Sequence, residues 1–342
     1  MNLKILGVDI AKNVFHFHGV DEHGREVLKK KVYRSEFLCE ISKLKRCRVV
    51  LESCGGANYW AREIERAGHK SQLIAPQYVS PFVKRNKNDW KDAEAICEAA
   101  QRPQMRYVPK RTEHQQDIQN LHRIRERLVK SRTALVNEMR GLLMEYGIVL
   151  PRGRRIFAAR FLEEFTKHSN RLSELCRTTF EDLYSEYHDI DRRVAKYEQQ
   201  LKGVAKQRRD CARLMDIPGV GFLTATAMVA AIGDISVFKN GRELAAWLGL
   251  TPIERSTGGK QKLYGISKRG DKYLRKLLVH GARVTLRFAE RKTDSRSVWA
   301  TDLKKRKGVN RSSVALANKN ARTIWALLAK NEEYKEIIPL AA

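Results

Sequence analysis

Four carboxylates stand out in a chain otherwise dominated by positive charge. Asp9 closes the apolar-rich start "LKILGVDI", Glu52 closes "RVVLES", and Asp89 and Asp92 sit three apart in "NDWKDAEAI". Residues three apart share one face of a helix. Carboxylates at strand ends and on an adjacent helix can converge on a pair of Mg²⁺ ions, roughly 3.5–4 Å apart, that activate a hydroxyl and stabilise the leaving oxygen in phosphodiester displacement. Each acid also has an ordinary alternative: Asp89 can cap its helix, and Asp92 can pair with neighbouring lysines. Two acids at strand ends followed by two on one helix face favour the metal.

A second stretch carries hydroxyls. In "RSTGGKQKLYGISKRG", residues 255–270, Ser256 and Thr257 precede Gly258 and Gly259, with basic residues on either side. A plain loop has this composition, and so does a nucleophile awaiting a phosphate. A third stretch, Pro218-Gly219-Val220-Gly221, separates two short helical segments and exposes backbone N–H groups near a helix N-terminus, where a phosphate can be held. It resembles the helix-hairpin-helix element of DNA-binding proteins, although any close helix packing can use glycine in this way.

The elements that must position these residues follow from periodicity. Residues 3–10 read as a strand, "DEHGRE" as a hairpin turn before "VLKKKVY", and "SEFLCEISKLK", "RVVLES", "NYWAREIERAG" and "SQLIAP" as alternating helix and strand. This predicts an α/β domain with a mixed sheet over residues 1–110. His16 and His18 of "HFH" alternate along a strand and read as structural. Beyond Glu113 the spacing becomes helical, through Ile118, Leu121, Ile124 (or Arg125), Leu128, Leu135, Met139 and Leu142. Leu183, Tyr187, Ile190, Val194, Tyr197, Leu201 and Val204 then step four and three residues apart. That heptad seam predicts a coiled-coil hairpin or dimerisation arm over 111–208, hence a homo-oligomer, with packing inside one chain as the alternative. Residues 209–342 read as a helical domain.

Composition narrows the partners. Lys and Arg total 67 against 39 Asp and Glu, a net charge of +28, and between Arg255 and Arg311 there are 18 basic residues against four acids. Such a charge suits a polyanion, of which nucleic acid is the usual one. The longest apolar-leaning run, "LTATAMVAAI", has ten residues, against the ~20 that cross a membrane. Cys39, Cys47, Cys54, Cys97, Cys176 and Cys211 show no CxxC pair and read as reduced thiols in a cytoplasm. The N-terminus, with Asp9 inside its apolar run, does not read as a signal peptide.

"GVDIAK", "LESCGG", "NDWKDAEAI", "IPGVGFLTA", "LAAWLGLTP", "STGGK" and "ISKRGDKYLRKLLVHGA", in that order, resemble the DEDD transposases of insertion sequences, the bridge-RNA-guided serine recombinases, over nearly the whole chain. The resemblance implies an RNase H-like (RuvC-like) N-terminal domain, a coiled-coil linker and a helical C-terminal transposase domain. It places the family acids on Asp9, Glu52, Asp89 and Asp92, holding two Mg²⁺ ions, and the nucleophilic serine on Ser256, with Thr257 one residue away as the alternative register. Ser256 is more than 160 residues from Asp92, so a shared site is composite, within one chain or across subunits. Gly219, Gly221, Gly258 and Gly259 would let backbone approach nucleic acid, and Lys260, Lys262, Lys268, Arg269 and Arg275 would clamp phosphates. The implied partners are donor and target DNA, a structured non-coding guide RNA and further copies of the chain as a dimer or tetramer, in a bacterial cytoplasm at the nucleoid and away from membranes.

The nearest rival is a nuclease resembling the Holliday-junction resolvases, with the same acids and basic surface but water as nucleophile. A sugar or acetate kinase accounts for "GVDIAK" but needs a further phosphate loop and an adenosine-binding glycine motif, and neither is found. A DNA-binding protein without catalysis leaves the four acids unexplained, since carboxylates repel phosphates unless a metal intervenes. Affinity for nucleic acid is expected to fall roughly a hundredfold or more between ~50 and ~200 mM salt; a flat response in a binding titration would contradict the electrostatic basis of the interaction.

Overall fold

Strand β1 (Ile5–Ile10) is buried along almost its whole length, the pattern of a strand covered on both faces. It pairs antiparallel with β2 (Val14–Val20), which pairs antiparallel with β3 (Glu26–Tyr33). On its other side β1 runs parallel to β4 (Arg48–Glu52), and β4 runs parallel to β5 (Lys70–Ile74). A short antiparallel strand, β6 (Tyr107–Val108), completes the mixed sheet in the order β3-β2-β1-β4-β5-β6. The arrangement agrees with the mixed α/β expectation and is consistent with an RNase H-like domain. It is taken from a computed structural model that describes residues 2–83 and 88–336; the last six residues of the expected 209–342 domain lie outside the described residues.

The period-two alternation of β1 and β2 sorts their side chains between two cores. On one face Leu6, Val8, Phe15 and Phe17 pack with Phe37 of helix α1 (Phe37–Ser42) and Trp60 and Ile64 of α2 (Ala57–Arg66). The other face begins with Ile5 and Val50 and is covered, beyond the short α3 (Pro76–Val79), by α4 (Asp89–Gln101), through Ile96, Cys97 and Ala100. Gly7 of β1 sits beneath that helix. A Cβ there would meet the carbonyl oxygen of Ala93 at 2.5 Å and Cβ of Cys97 at 2.8 Å, so only glycine lets helix and strand lie this close.

The chain divides into two units, residues 1–113 with 232–237, and 114–231 with 238–342. Position 208 lies inside the second of these units. The reason is a shared core: Ile118 of α5 (Glu113–Met144) and Leu201 of a later helix pack with Ala230. The heptad seam lies on that later helix, α7 (Glu174–Gln207), and is buried within the chain. Tyr187, Ile190 and Val194 pack with Leu128, Leu135 and Met139 of α5 and with Phe157, Phe161 and Phe165 of α6 (Arg154–His168). These seam side chains are thus taken up by intramolecular packing rather than presented to a second copy, and Leu142 of the first helical pattern points outward while Leu143 is buried.

The remainder of the second unit is α8 (Arg209–Met215), α9 (Phe222–Ile232), α10 (Gly241–Trp247), a hairpin of β7 (Pro252–Glu254) and β8 (Leu263–Ile266), α11 (Lys272–Phe288) and α12 (Ser295–Lys330), broken at Gly308 (φ 74°). Among the described residues no helix is long and apolar enough to cross a membrane. Three helices meet at His122, whose ring nitrogens lie 2.9 Å from Tyr273 Oη and 2.9 Å from Thr226 Oγ1. Thr226 spends its own proton on the Phe222 carbonyl, so the imidazole N–H donates to the threonine. Burial first, and then the nearby Arg125 guanidinium, pushes His122 from 6.5 down to about 4. The unfolded chain therefore takes up a proton that the folded one refuses. This contribution to stability is fully present above pH 6.5 and is lost as pH falls towards 4, on the order of 3 kcal/mol in all. Urea unfolding at pH 7 and pH 4.5 should show a smaller pH-dependent loss in His122→Asn than in the wild type.

Candidate functional site

Asp9 is the second-last residue of β1, with its side chain on the α4 face, the face of Ile5 and Gly7. The close seat of α4 brings that helix's first turn over the end of the strand. One carboxylate oxygen from each of Asp9, Asp89 and Asp92 lies within 4.8 Å of the others. Asp89 does not cap the helix: Asn88 does, its side chain accepting the N–H of Trp90 at 3.1 Å. Both helix acids are therefore released from capping, and they stand in the first turn, where backbone dipoles favour negative charge.

Glu52 is outside this 4.8 Å cluster but close by in the sheet. Parallel pairing sets Val8 beside Leu51, so Asp9 and Glu52 follow side by side at the ends of β1 and β4. Partial desolvation, and then the Glu52 and Asp9 carboxylates, hold the Cys54 thiol above its ordinary value. Of the four acids singled out by the sequence, three converge tightly and the fourth flanks them.

One residue read as structural belongs here. His16 lies directly opposite Asp9 in the β1–β2 register. Its ring packs edge-on against Trp90, 4.7 Å between centroids, and its Nδ1 is 3.9 Å from Asp89 Oδ2. The hairpin turn read from the sequence, "DEHGRE", lies between β2 and β3, whereas the turn that pairs residue 9 with residue 16 is the short connection after Ile10.

The serine segment is not a floppy loop. Gly258 and Gly259 both take positive φ (55° and 75°), and the Lys260 N–H donates to the Thr257 carbonyl at 3.1 Å. Two successive left-handed residues make the tight turn that matches strand twist, and the segment closes the β7–β8 hairpin. Ser256 is exposed and its hydroxyl donates to Glu254 Oε1 at 2.6 Å; Gln261 Nε2 donates to the same oxygen at 3.3 Å. Sequence reasoning passed over Glu254, although strand alternation puts residues 254 and 256 on one side. Thr257 instead bridges across the turn to Lys260.

The basic residues divide. Lys260, Lys262, Lys268 and Arg269 are exposed around the hairpin. Arg275 is a correction: it is 9% exposed, and its guanidinium donates to the Leu248 carbonyl at 2.9 Å. It lies on the buried face of α11 beside Leu274 and Leu278, so it ties that helix to the preceding segment and is absent from the phosphate-facing surface. Gly219 also has a packing reason. At φ 88° a Cβ there would meet the Gly281 carbonyl oxygen at 2.7 Å, so the "PGVG" turn lies against the backbone of α11. Gly221 is exposed just before α9.

Residues 211–297, which include the "PGVG" turn and the hairpin, match the family described as "Transposase IS116/IS110/IS902 family", and residues 6–148, which include all four acids, match the DEDD transposase family of the IS110 type. The chain is 49% identical over 338 residues to the transposase for insertion sequence element IS1111A of Coxiella burnetii, covering 98% of this chain and 92% of that one. It is 46% identical to a probable family 20 transposase of Pseudomonas aeruginosa, over 98% and 99% of the two chains, and 39% identical, over the same shares, to the transposase for insertion sequence element IS1328 of Yersinia enterocolitica. The chain belongs to the IS116/IS110/IS902 family of transposases. As an insertion-sequence transposase it acts on DNA and transfers strands.

DEDD transposases are RNase H-like and normally use divalent metal ions, and the site of this transposase fits one. Three carboxylate oxygens within 4.8 Å offer a hard donor set, and a buried imidazole nitrogen with no hydrogen-bond partner among the described residues faces the same acids. Because the cluster depends on the seat of α4, Gly7→Val should separate Asp9 from the helix acids. The expected outcome is a tenfold or greater loss of divalent-cation affinity by calorimetry, comparable to losing a ligand's supporting shell (~10–100-fold), with a lower melting temperature.

Proposed function

We propose that this transposase cuts and rejoins DNA through Ser256 as nucleophile, with Asp9, Glu52, Asp89 and Asp92 holding divalent ions, Mg²⁺ in the simplest case and two in number. The observation that carries the serine assignment is the 2.6 Å hydrogen bond from Ser256 Oγ to the Glu254 carboxylate. A serine hydroxyl is a weak nucleophile until a base takes its proton, and a carboxylate within about 3 Å meets the geometric requirement for that base. Glu254 accepts the proton as Oγ attacks phosphorus. A Ser256–phosphate ester forms, the P–O bond to the departing sugar oxygen breaks, and that oxygen is protonated. Divalent ions held by Asp9, Glu52, Asp89 and Asp92 would supply Lewis-acid chemistry towards phosphate oxygens. The reversal of this step by the hydroxyl of another strand rejoins DNA, and the energy of the broken bond is kept in the ester.

Lys260, Lys262, Lys268 and Arg269, exposed around the hairpin, are suited to hold the phosphates either side of the reacting one. Gly221, before α9, offers N–H groups to a phosphate farther along. The resemblance to the bridge-RNA-guided recombinases supports a structured RNA as the determinant of which DNA is joined; a net charge of +28 serves RNA and DNA equally. Joining two DNA partners calls for more than one copy of the chain, through surfaces other than the buried heptad seam.

Ser256→Ala is expected to abolish covalent protein–DNA adducts while binding persists, and Thr257→Ala to retain them. Glu254→Gln should slow adduct formation by about 10²-fold or more, the usual contribution of a positioned base. Asp9→Ala and Asp92→Ala should abolish cleavage and leave affinity intact. Adducts formed at wild-type rate by Ser256→Ala would remove the serine from the chemistry; cleavage without any adduct would favour water as the attacking group.

A further inference from the structure

His16 and His18 share one face of β2, yet their surroundings differ. His18 Nδ1 has the Glu26 carboxylate at 3.4 Å. His16 is 6% exposed, and its Nδ1 is closed to solvent without a hydrogen-bond partner among the described residues. A buried ring nitrogen left unpaired is unfavourable, and such a group calls for an explanation. Asp89 Oδ2 lies 3.9 Å from it. That is beyond the ~3.2 Å reach of an N–H···O bond. It is within the ~4.4 Å that can separate two donors bound to one ion by bonds of roughly 2.0–2.2 Å. The β1–β2 register puts His16 directly across from Asp9, and Asp89 and Asp92 close the same space from α4. Trp90 packs edge-on against the imidazole and restricts its rotation.

We propose that His16 is a nitrogen ligand of the cation site formed by Asp9, Asp89 and Asp92, and that it gives this site a preference for a first-row transition ion such as Mn²⁺ over Mg²⁺. The proposal rests on the acids being a cation site, which the experiment tests separately. The chemistry follows from the donor set. Mg²⁺ keeps its waters and takes oxygen ligands, whereas Mn²⁺, which shares its liking for carboxylates, stands at the start of the first-row series whose members accept imidazole with rising affinity. Three carboxylates and one neutral imidazole, held by a strand and a helix, form a mixed set that an ion of the Mn²⁺ type occupies with less loss than Mg²⁺. Coordination through Nδ1 would account for a buried nitrogen that has no hydrogen-bond partner among the described residues.

The test is pulsed electron paramagnetic resonance on the full-length protein loaded with Mn²⁺ alone, together with calorimetric titration. The wild type should show nitrogen modulation from one directly bound imidazole. His18→Gln should retain it and His16→Gln should lose it, with Mn²⁺ affinity reduced about tenfold or more, at least what loss of a supporting group costs. Mg²⁺ affinity should change by less than about threefold in His16→Gln, because oxygen ligands dominate its binding. Mn²⁺ bound in an Asp9-dependent manner without nitrogen modulation would overturn the role of His16 and leave the acid site standing, with His16 and Asp89 then an ion pair. Modulation lost in His18→Gln instead would also overturn it. Absence of Mn²⁺ binding to the wild type would remove the acid site and the proposal together. If His16→Gln does not fold, the wild-type and His18→Gln spectra decide.

Discussion

The close seat of α4 on β1 is the constraint on which the acidic site depends. Helix and strand meet where Gly7 has no side chain, and the backbone of Ala93 and the side chain of Cys97 occupy the space that a Cβ would need. The small residues Ala93, Ala99 and Ala100 keep the rest of the contact shallow, while Ile96 and Cys97 reach into the core. That packing works against electrostatics. Three carboxylates with oxygens within 4.8 Å of one another repel by roughly 1–3 kcal/mol per pair, depending on how much water screens them. Burial of the α4 face holds the acids together, and a divalent ion there would relieve the repulsion. The fold thus stores an unfavourable charge arrangement at one end of the sheet, with Asn88 rather than either aspartate capping the helix.

The second unit solves a different problem, presenting an exposed hydroxyl on a stiff support. The hairpin carrying Ser256 has little packing of its own, since residues 252–265 are exposed. Its order comes from β7–β8 pairing, from the turn at Gly258 and Gly259, and from the hydrogen bonds that gather Ser256 and Gln261 on Glu254. Elsewhere in the same unit, Arg275 ties α11 to the Leu248 carbonyl, and the "PGVG" turn lies against Gly281 of that helix. A hydroxyl on a short hairpin is accessible without an enclosed pocket, and the lysines around it are exposed as well.

Much of this was legible in the chain. Residue type and order marked Asp9, Glu52, Asp89 and Asp92 because acids are conspicuous in a molecule of net charge +28. Period-two alternation located the strands, and a shift to helical spacing beyond Glu113 located the long helices, because side-chain direction follows directly from backbone repeat. What periodicity cannot supply is the identity of the covering surface. The seam through Tyr187, Ile190 and Val194 was plainly apolar, but only the folded chain shows that α5 and the phenylalanines of α6 fill it. Charge likewise carries no depth. Arg275 reads like its neighbours on a basic helix, yet it is buried while Lys276 is half exposed, because the helix turns one to the core and the other to water.

The sequence by itself determined the kinds of group available: hard oxygen donors, a hydroxyl beside glycines, and an excess of cations, together with the local repeats that form strands and helices. Only the tertiary structure decided which groups meet. It set His16 across from Asp9, drew Asp89 and Asp92 over the same strand end, and placed the Ser256 hydroxyl on Glu254. The reason is that chemistry between side chains falls off over a few ångströms. Those distances are fixed by sheet register and by how closely backbones approach at a glycine such as Gly7, quantities that belong to pairs of elements and that no single element encodes.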